Sequence, residues 1–179
     1  SNKKNNMIET KILPNELTLE KNVLAYIMNQ VDGLFIAQRE NLTEDDFYDS
    51  TNQMILNEML SLYKENINPS MQVLSTRVKS VEPTTIMNIA IEGTLMYEAD
   101  FCDYIKLLKE YSMKRQMIYT TRDIESLYNK GTDVFEVHAT VSNTLDNIGK
   151  MSVSNELNGI DMLNTAMDLV QYKKDNPSM

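Results

Sequence analysis

The sequence predicts an all-α fold, and three features carry that prediction. Turn-forming residues are scarce: five glycines and four prolines in 179 residues, roughly 5% where average usage is about 12%. Sheet-rich folds need a turn roughly every 8–12 positions, and this chain cannot supply them. Apolar residues recur in steps of three and four, the spacing of one helix face. Thr94 to Lys130 then runs for 37 residues without a glycine or proline. The length fits one domain, or one domain with an appendage, and suffices for a hydrophobic core without disulfides or a structural metal.

Composition excludes several function classes. Cys102 is the single cysteine and His138 the single histidine, so no disulfide framework, cysteine-rich zinc site or His-x-x-x-His pair can form. The net charge is −9 and the pI about 4.6, the opposite of a domain built to grip a phosphate backbone. No apolar run approaches the length of about 18 needed for a spanning helix. The opening Ser1-Asn2-Lys3-Lys4-Asn5-Asn6 has no apolar signal-peptide core. The expected location is therefore cytoplasmic. Ser1-Asn2 standing where an initiating methionine would be reads as a vector remnant, so the chain is expected to be an expressed fragment.

Residues 1–14, polar and ending at Pro14, are expected to form a flexible arm. Asn15 or Thr18 can cap a first helix whose inward positions are Leu17, Leu24, Ile27, Met28 and Val31, with Gly33 as its stop. Leu34, Phe35 and Ile36 form a short apolar cluster before the acidic turn Glu44-Asp45-Asp46. Ser50 or Thr51 can cap a second helix to about Glu65, with Ile55, Met59, Leu62 and Tyr63 inward. Ser70 can cap a helix carrying Val73, Leu74 and Val78, and Pro83 opens another that ends near Gly93. These segments make a globule over residues 15–95.

The segment 96–149 is predicted to be a helical hairpin that projects from this globule. Phe101, Tyr104, Leu108 and Tyr111 step by 3, 4 and 3, and Ile118, Ile124 and Tyr128 continue the stripe. A helix of about 30 residues is about 45 Å long, too long to lie across so small a body. Gly131-Thr132-Asp133 is a stop followed by a cap. Val134, Val137, Val141, Leu145 and Ile148 stripe the returning helix, which ends at Gly149. A two-helix hairpin seldom buries its whole stripe on itself, so the remainder calls for another chain. Self-association follows, with Phe101, Tyr104, Ile105, Leu108, Tyr111, Ile118, Val137 and Val141 as the expected interface. Lys106, Lys109, Lys114, Arg115, Arg122 and Lys130 read as a solvated basic face.

Residues 150–179 form a short polar linker and a last amphipathic helix. Leu157, Ile160, Leu163, Met167 and Val170 share one face, which suits docking on a further domain or a neighbouring protomer; folding back on its own globule is the alternative. No catalytic constellation appears: no glycine-rich phosphate loop, no nucleophile elbow, no metal-ligand spacing. Glu44, Asp45, Asp46 and Asp49 lack the glycine turn and alternating donors of a calcium loop and read as helix-start acids. Cys102 has no basic neighbour in sequence and reads as inert, and His138 as a surface or interface residue. The thirteen methionines read as core filler.

Three stretches together resemble the N-terminal domain of DnaB-type replicative DNA helicases. Pro14-Asn15-Glu16-Leu17-Thr18-Leu19-Glu20-Lys21-Asn22-Val23-Leu24-Ala25-Tyr26-Ile27-Met28 is similar to the family's opening. Leu42-Thr43-Glu44-Asp45-Asp46-Phe47-Tyr48-Asp49 is similar to its acidic Phe-Tyr turn. Tyr104-Ile105-Lys106-Leu107-Leu108-Lys109-Glu110-Tyr111-Ser112-Met113-Lys114-Arg115 is similar to the start of its long hairpin helix. Order and spacing agree over about residues 13–149. The sequence departs from the family in having Leu19 where Ala is frequent and Ala25 where Gly is frequent. Asn52 replaces a common His, Asn68-Pro69-Ser70 replaces Pro-Ile-Asp, and a Gly-Gly loop is reduced to Gly93.

The resemblance implies a non-catalytic collar. Its hairpins pair, three pairs form a ring over six ATPase motors, and a DnaG-type primase docks there; a helicase loader is a further candidate partner. The final helix would be the linker that docks on the adjacent motor. No cofactor is expected in this chain, ATP and Mg belonging to the motor domain that would follow Met179. The alternative is a stand-alone helical adaptor or loader protein that binds a replication partner.

Overall fold

The computed structural model describes residues 13–93 and 96–150, and every regular element among them is helical. In chain order these are α1 (Leu17–Asn29), α2 (Gly33–Arg39), a 3-10 turn (Glu44–Asp46), α3 (Ser50–Lys64), α4 (Met71–Arg77), α5 (Pro83–Glu92) and α6 (Glu98–Asn129). Residues 134–150 are helical and are called α7. The residues expected to form the linker helix and its docking face, Leu157, Ile160, Leu163, Met167 and Val170, lie outside the described residues, as does most of the N-terminal arm.

α1 is the hub. It packs against α2, α3, α5 and α6, and from Leu19 to Met28 every residue except Lys21 is buried. A helix enclosed on all sides has no polar face to set a phase, which explains why the apolar stripe drawn from sequence is wrong at both ends. Leu17 and Val31 are exposed, whereas Leu24, Ile27 and Met28 are inside. The cap is Glu16, whose carboxylate accepts from the Thr18 amide at 3.2 Å; neither Asn15 nor Thr18 takes that role.

Gly33 does not stop α1 but starts α2. A Cβ there would lie 2.8 Å from Ile27 Cα, so glycine lets the two helices meet backbone to backbone. The apolar cluster that follows is the body of α2: Leu34 and Ile36 are buried and Phe35 is exposed. α3 begins earlier than expected, because the cap is Asp49 rather than Ser50 or Thr51: its carboxylate accepts from the amides of Thr51 and Asn52 at 2.9 and 3.0 Å. Ile55, Met59 and Leu62 are buried as expected, but Tyr63 faces solvent. Ser70 and Pro83 open α4 and α5 as the sequence predicts.

Three helices stop by the same device. Asn41 (φ 53°), Asn66 (φ 57°) and Gly131 (φ 76°) are left-handed residues just past α2, α3 and α6. In each, two reversed hydrogen bonds close the end: Leu42 N–H to Ala37 O and Asn41 N–H to Gln38 O after α2, Ile67 to Leu62 and Asn66 to Tyr63 after α3, Thr132 to Leu127 and Gly131 to Tyr128 after α6. This is the Schellman arrangement. Asparagine tolerates the left-handed region better than other non-glycine residues, so a glycine-poor chain can still stop its helices.

α6 has 32 residues and is about 48 Å long. Asp133 then caps α7 through the Phe135 amide at 2.9 Å. On α7 the buried or half-buried positions are Val137, Val141, Ser142, Thr144 and Ile148, while Val134 and Leu145 are exposed, and the helix continues through Gly149. The inward face is therefore rotated from the apolar stripe read from sequence, which Val134 and Leu145 do not follow.

α5 packs extensively on α1, and its C-terminal cap makes the tightest approach. A Cβ on Gly93 would come within 2.1 Å of Ala25 Cβ, so Ala25 is tolerated on α1 because its neighbour has no side chain. Gly93→Ala is expected to lower stability by about 1–3 kcal/mol through overpacking. The double variant Ala25→Gly/Gly93→Ala should lose less than Gly93→Ala alone, as measured by urea denaturation; equal losses would mean that the clash is not what Gly93 avoids.

Candidate assembly surface

The two halves of α6 differ in what they touch. In the first half, Phe101, Ile105 and Leu108 are fully buried in the core formed with α1 and its neighbours, Tyr104 and Tyr111 pack partly against that core, and Ser112 and Arg115 are buried too. These steps of 4, 3, 4 and 3 keep one face inward for about four turns. Tyr26 of α1 stacks on Phe101 with ring centroids 4.0 Å apart.

Polar contacts then fix the register of α6 against the acidic turn after α2. Lys109 Nζ donates to Asn41 O at 2.7 Å and to Asp46 Oδ2 at 2.9 Å. Ser112 Oγ donates to Asp45 O at 2.9 Å. Arg115 donates to Pro14 O at 3.1 Å, to Asp46 O at 3.0 Å and to Asp45 O at 3.4 Å. Burial lowers the pKa of Arg115, and the negative charges of Glu20 and Asp46 act against that shift. The turn itself is held from the other side. The Glu20 carboxylate, buried on α1, accepts from the backbone amides of Tyr48 and Asp49 and from Asn52 Nδ2 at 2.8 Å. The Asp46 carboxylate also accepts from the Thr43 amide at 2.9 Å.

Beyond Arg115 the surroundings change. On the second half of α6 only Thr120 is buried. Met117, Tyr119 and Tyr128 are exposed, Ile118 and Ile124 are half-buried, and on α7 Val134, Phe135 and Leu145 are exposed. Phe135 shows 81% of its surface and Tyr128 50%, an unusual placement for large apolar side chains near one hairpin turn.

The expected interface residues thus divide. Phe101, Ile105 and Leu108 are core residues of their own chain and present no area to a partner; Tyr104 and Tyr111 line that same core. Val137 is buried, whereas Ile118 and Val141 are half-buried. Periodicity alone cannot separate a stripe that faces the chain's own globule from one that faces another chain. Of the basic residues, Lys109 and Arg115 are structural ties rather than a solvated face, a role signalled only by their spacing against the acidic turn.

The remaining candidates for chemistry are spoken for. Asp46 and Asp49 serve as turn and helix caps, and among the described residues no group of three acidic, histidine or cysteine side chains could hold a metal ion. Cys102 does gain a basic neighbour, Arg39 Nη2 donating to its sulfur at 3.3 Å. Its thiol is nonetheless pushed above the ordinary range, first by burial and then by Glu40. His138 is exposed.

The family model for the DnaB-like helicase N terminal domain matches residues 12–110, more than half of the chain. The chain belongs to this family. No curated protein matches the sequence. Among solved structures, the crystal structure of the N-terminal domain of DnaB helicase from Mycobacterium tuberculosis is similar with a TM-score of 0.65 and 18% identity, covering 76% of this chain and 99% of that one. Identity that low speaks to the fold alone. The second and third motifs of the family resemblance are the two partners described above: the acidic Phe-Tyr turn is the socket, and the stretch of α6 up to Arg115 is what it holds.

Substitutions at Arg115 test how α6 is held, and the reactivity of Cys102 tests its surroundings. Arg115→Met keeps apolar bulk but removes all three carbonyl contacts, and should lower stability by about 2–4 kcal/mol. Arg115→Lys should recover less than half of that, since one ammonium cannot span three carbonyls; full recovery would show that only the charge matters. At neutral pH, Cys102 should react with a thiol reagent more slowly than a free cysteine, because less of it is thiolate. Glu40→Gln should speed the reaction by removing a charge that opposes ionisation.

Proposed function

We propose that this chain is the non-catalytic collar domain of a replicative DNA helicase, assembling through its hairpin and receiving a DnaG-type primase. The observation that carries this reading is the division of α6. Its first half is bolted to the globule by an apolar stripe and six hydrogen bonds to the chain segments at Pro14 and residues 41–46. Its second half leaves the core and, with α7, exposes Met117, Tyr128, Phe135 and Leu145. A lever so fixed at one end and apolar at the other is suited to pairing with a second copy.

In this reading the hairpins form dimers, dimers close into a ring, and ATP and Mg serve a motor domain carried on the full-length protein. The net charge of −9 suits a collar that leaves the grip on nucleic acid to that motor. No helix among the described residues is long and apolar enough to cross a membrane, which is compatible with work in the cytoplasm.

Sedimentation of the whole chain over a range of concentrations tests the proposal. The wild type should associate, and Tyr128→Asp/Phe135→Asp should weaken association at least tenfold, as loss of interface anchors does, with an unchanged melting temperature. A wild type that remains monomeric at high concentration would contradict the assembly role. A surface-immobilised primase that fails to retain the associated chain would contradict the docking role separately.

A further inference from the structure

At the end of the molecule remote from the hairpin turn, four helix ends converge. Asn29 at the end of α1 donates to Ala90 O near the end of α5 at 3.0 Å. Arg39 at the end of α2 donates to Glu98 at the start of α6 at 3.1 Å and to Cys102 one turn further on. Gly93 lies against Ala25. The Tyr26 hydroxyl is held above its ordinary range by burial and then by the charges of Asp32 and Glu98, so both carboxylates border the same end.

Large apolar side chains stand out from it. Val31 is 94% exposed, Tyr97 85%, Ile91 70% and Phe35 54%. Phe35 lies one turn before Arg39 on α2, and so on the side that meets α6. Scattered exposed apolar residues need no explanation, but four of this size on adjoining helix ends present several hundred Å², the scale at which a patch on a monomer is commonly functional. The border is acidic: Asp32, Glu92, Glu98 and Asp100 are exposed, and the one cation in the contacts, Arg39, is already shared between Glu40 and Glu98.

We propose that the patch of Val31, Phe35, Ile91 and Tyr97 is a docking site for a partner protein's amphipathic helix with an apolar face flanked by lysine or arginine. The apolar side chains supply burial, and the carboxylates select a basic flank and repel an acidic one. The site is separate from the hairpin surface, so it is open in a monomer and in a hairpin-paired assembly alike. A second copy of this acidic chain is a poor occupant, since like charges would face each other across the rim.

The test uses the whole chain and a fluorescent Leu/Lys amphipathic peptide of about 18 residues, five helical turns, with its Leu/Glu counterpart as the charge control. The Leu/Lys peptide should bind, and binding should weaken when salt rises from about 0.05 to 0.3 M. Ile91→Ser/Tyr97→Ser should weaken it about tenfold or more, and Asp32→Asn/Glu92→Gln should weaken it severalfold. Tyr63→Ser/Ile67→Ser, exposed positions at the end of α3, should leave it unchanged. All substituted side chains are exposed, and unchanged melting curves verify the fold. No measurable binding, equal loss at the α3 positions, or equal binding of the Leu/Glu peptide would overturn the proposal. So would loss of self-association in Ile91→Ser/Tyr97→Ser, which would make a second copy the occupant.

Discussion

Arg115 is a cation buried in a small protein whose direct partners are backbone carbonyls of Pro14, Asp45 and Asp46. Removing a guanidinium from water is costly unless its donors are filled, and here a planar fork meets carbonyls from two separate chain segments. The contact can form only when the acidic turn after α2, the entry of α1 and the middle of α6 are all in place. The same turn carries the end of α2 through Asn41, the cap of α3 through Asp49 and a tie to α1 through Glu20. One short segment therefore joins four helices.

Magnitudes separate the roles of the contacts. Phe101, Ile105 and Leu108, fully buried, contribute roughly 1.5–3 kcal/mol each, and they hold α6 to the globule. Apolar burial is non-directional and specifies register less sharply than hydrogen bonds do. Lys109, Ser112 and Arg115 cannot slide, since each donor would lose its acceptor. The exposed pairing of Arg77 with Glu58 and Glu65 joins α4 to α3, but solvent screening leaves it little share in holding the fold. The hairpin's direction is thus set by buried polar contacts and its attachment by the apolar stripe.

Much of the fold was legible in sequence because it rests on local signals. The glycine- and proline-free run became α6, Ser70 and Pro83 opened the expected helices, and Gly131 closed α6. Errors arose where the deciding partner is distant in sequence. α1 is enclosed on every side, so its stripe had no phase to read. Gly33 looks like a stop, yet its purpose is the approach to Ile27 Cα. Asn41 and Asn66 stop helices without the glycine that usually marks the position. Phe101, Ile105 and Leu108 belong to the chain's own core rather than to an interface, a distinction periodicity cannot draw because both kinds of burial leave the same period. The family motifs were readable as patterns, but only the structure shows the turn and the helix in contact.

Hydrogen exchange along α6, followed as a function of protein concentration, tests the division of this helix most directly. Amides from Phe101 to Arg115 should exchange slowly at every concentration, as part of the core. Those from Gln116 to Asn129 should exchange faster in dilute solution and slow down as the chain associates. Uniform protection along the whole helix, unaffected by concentration, would contradict a hairpin anchored at one half and assembling through the other.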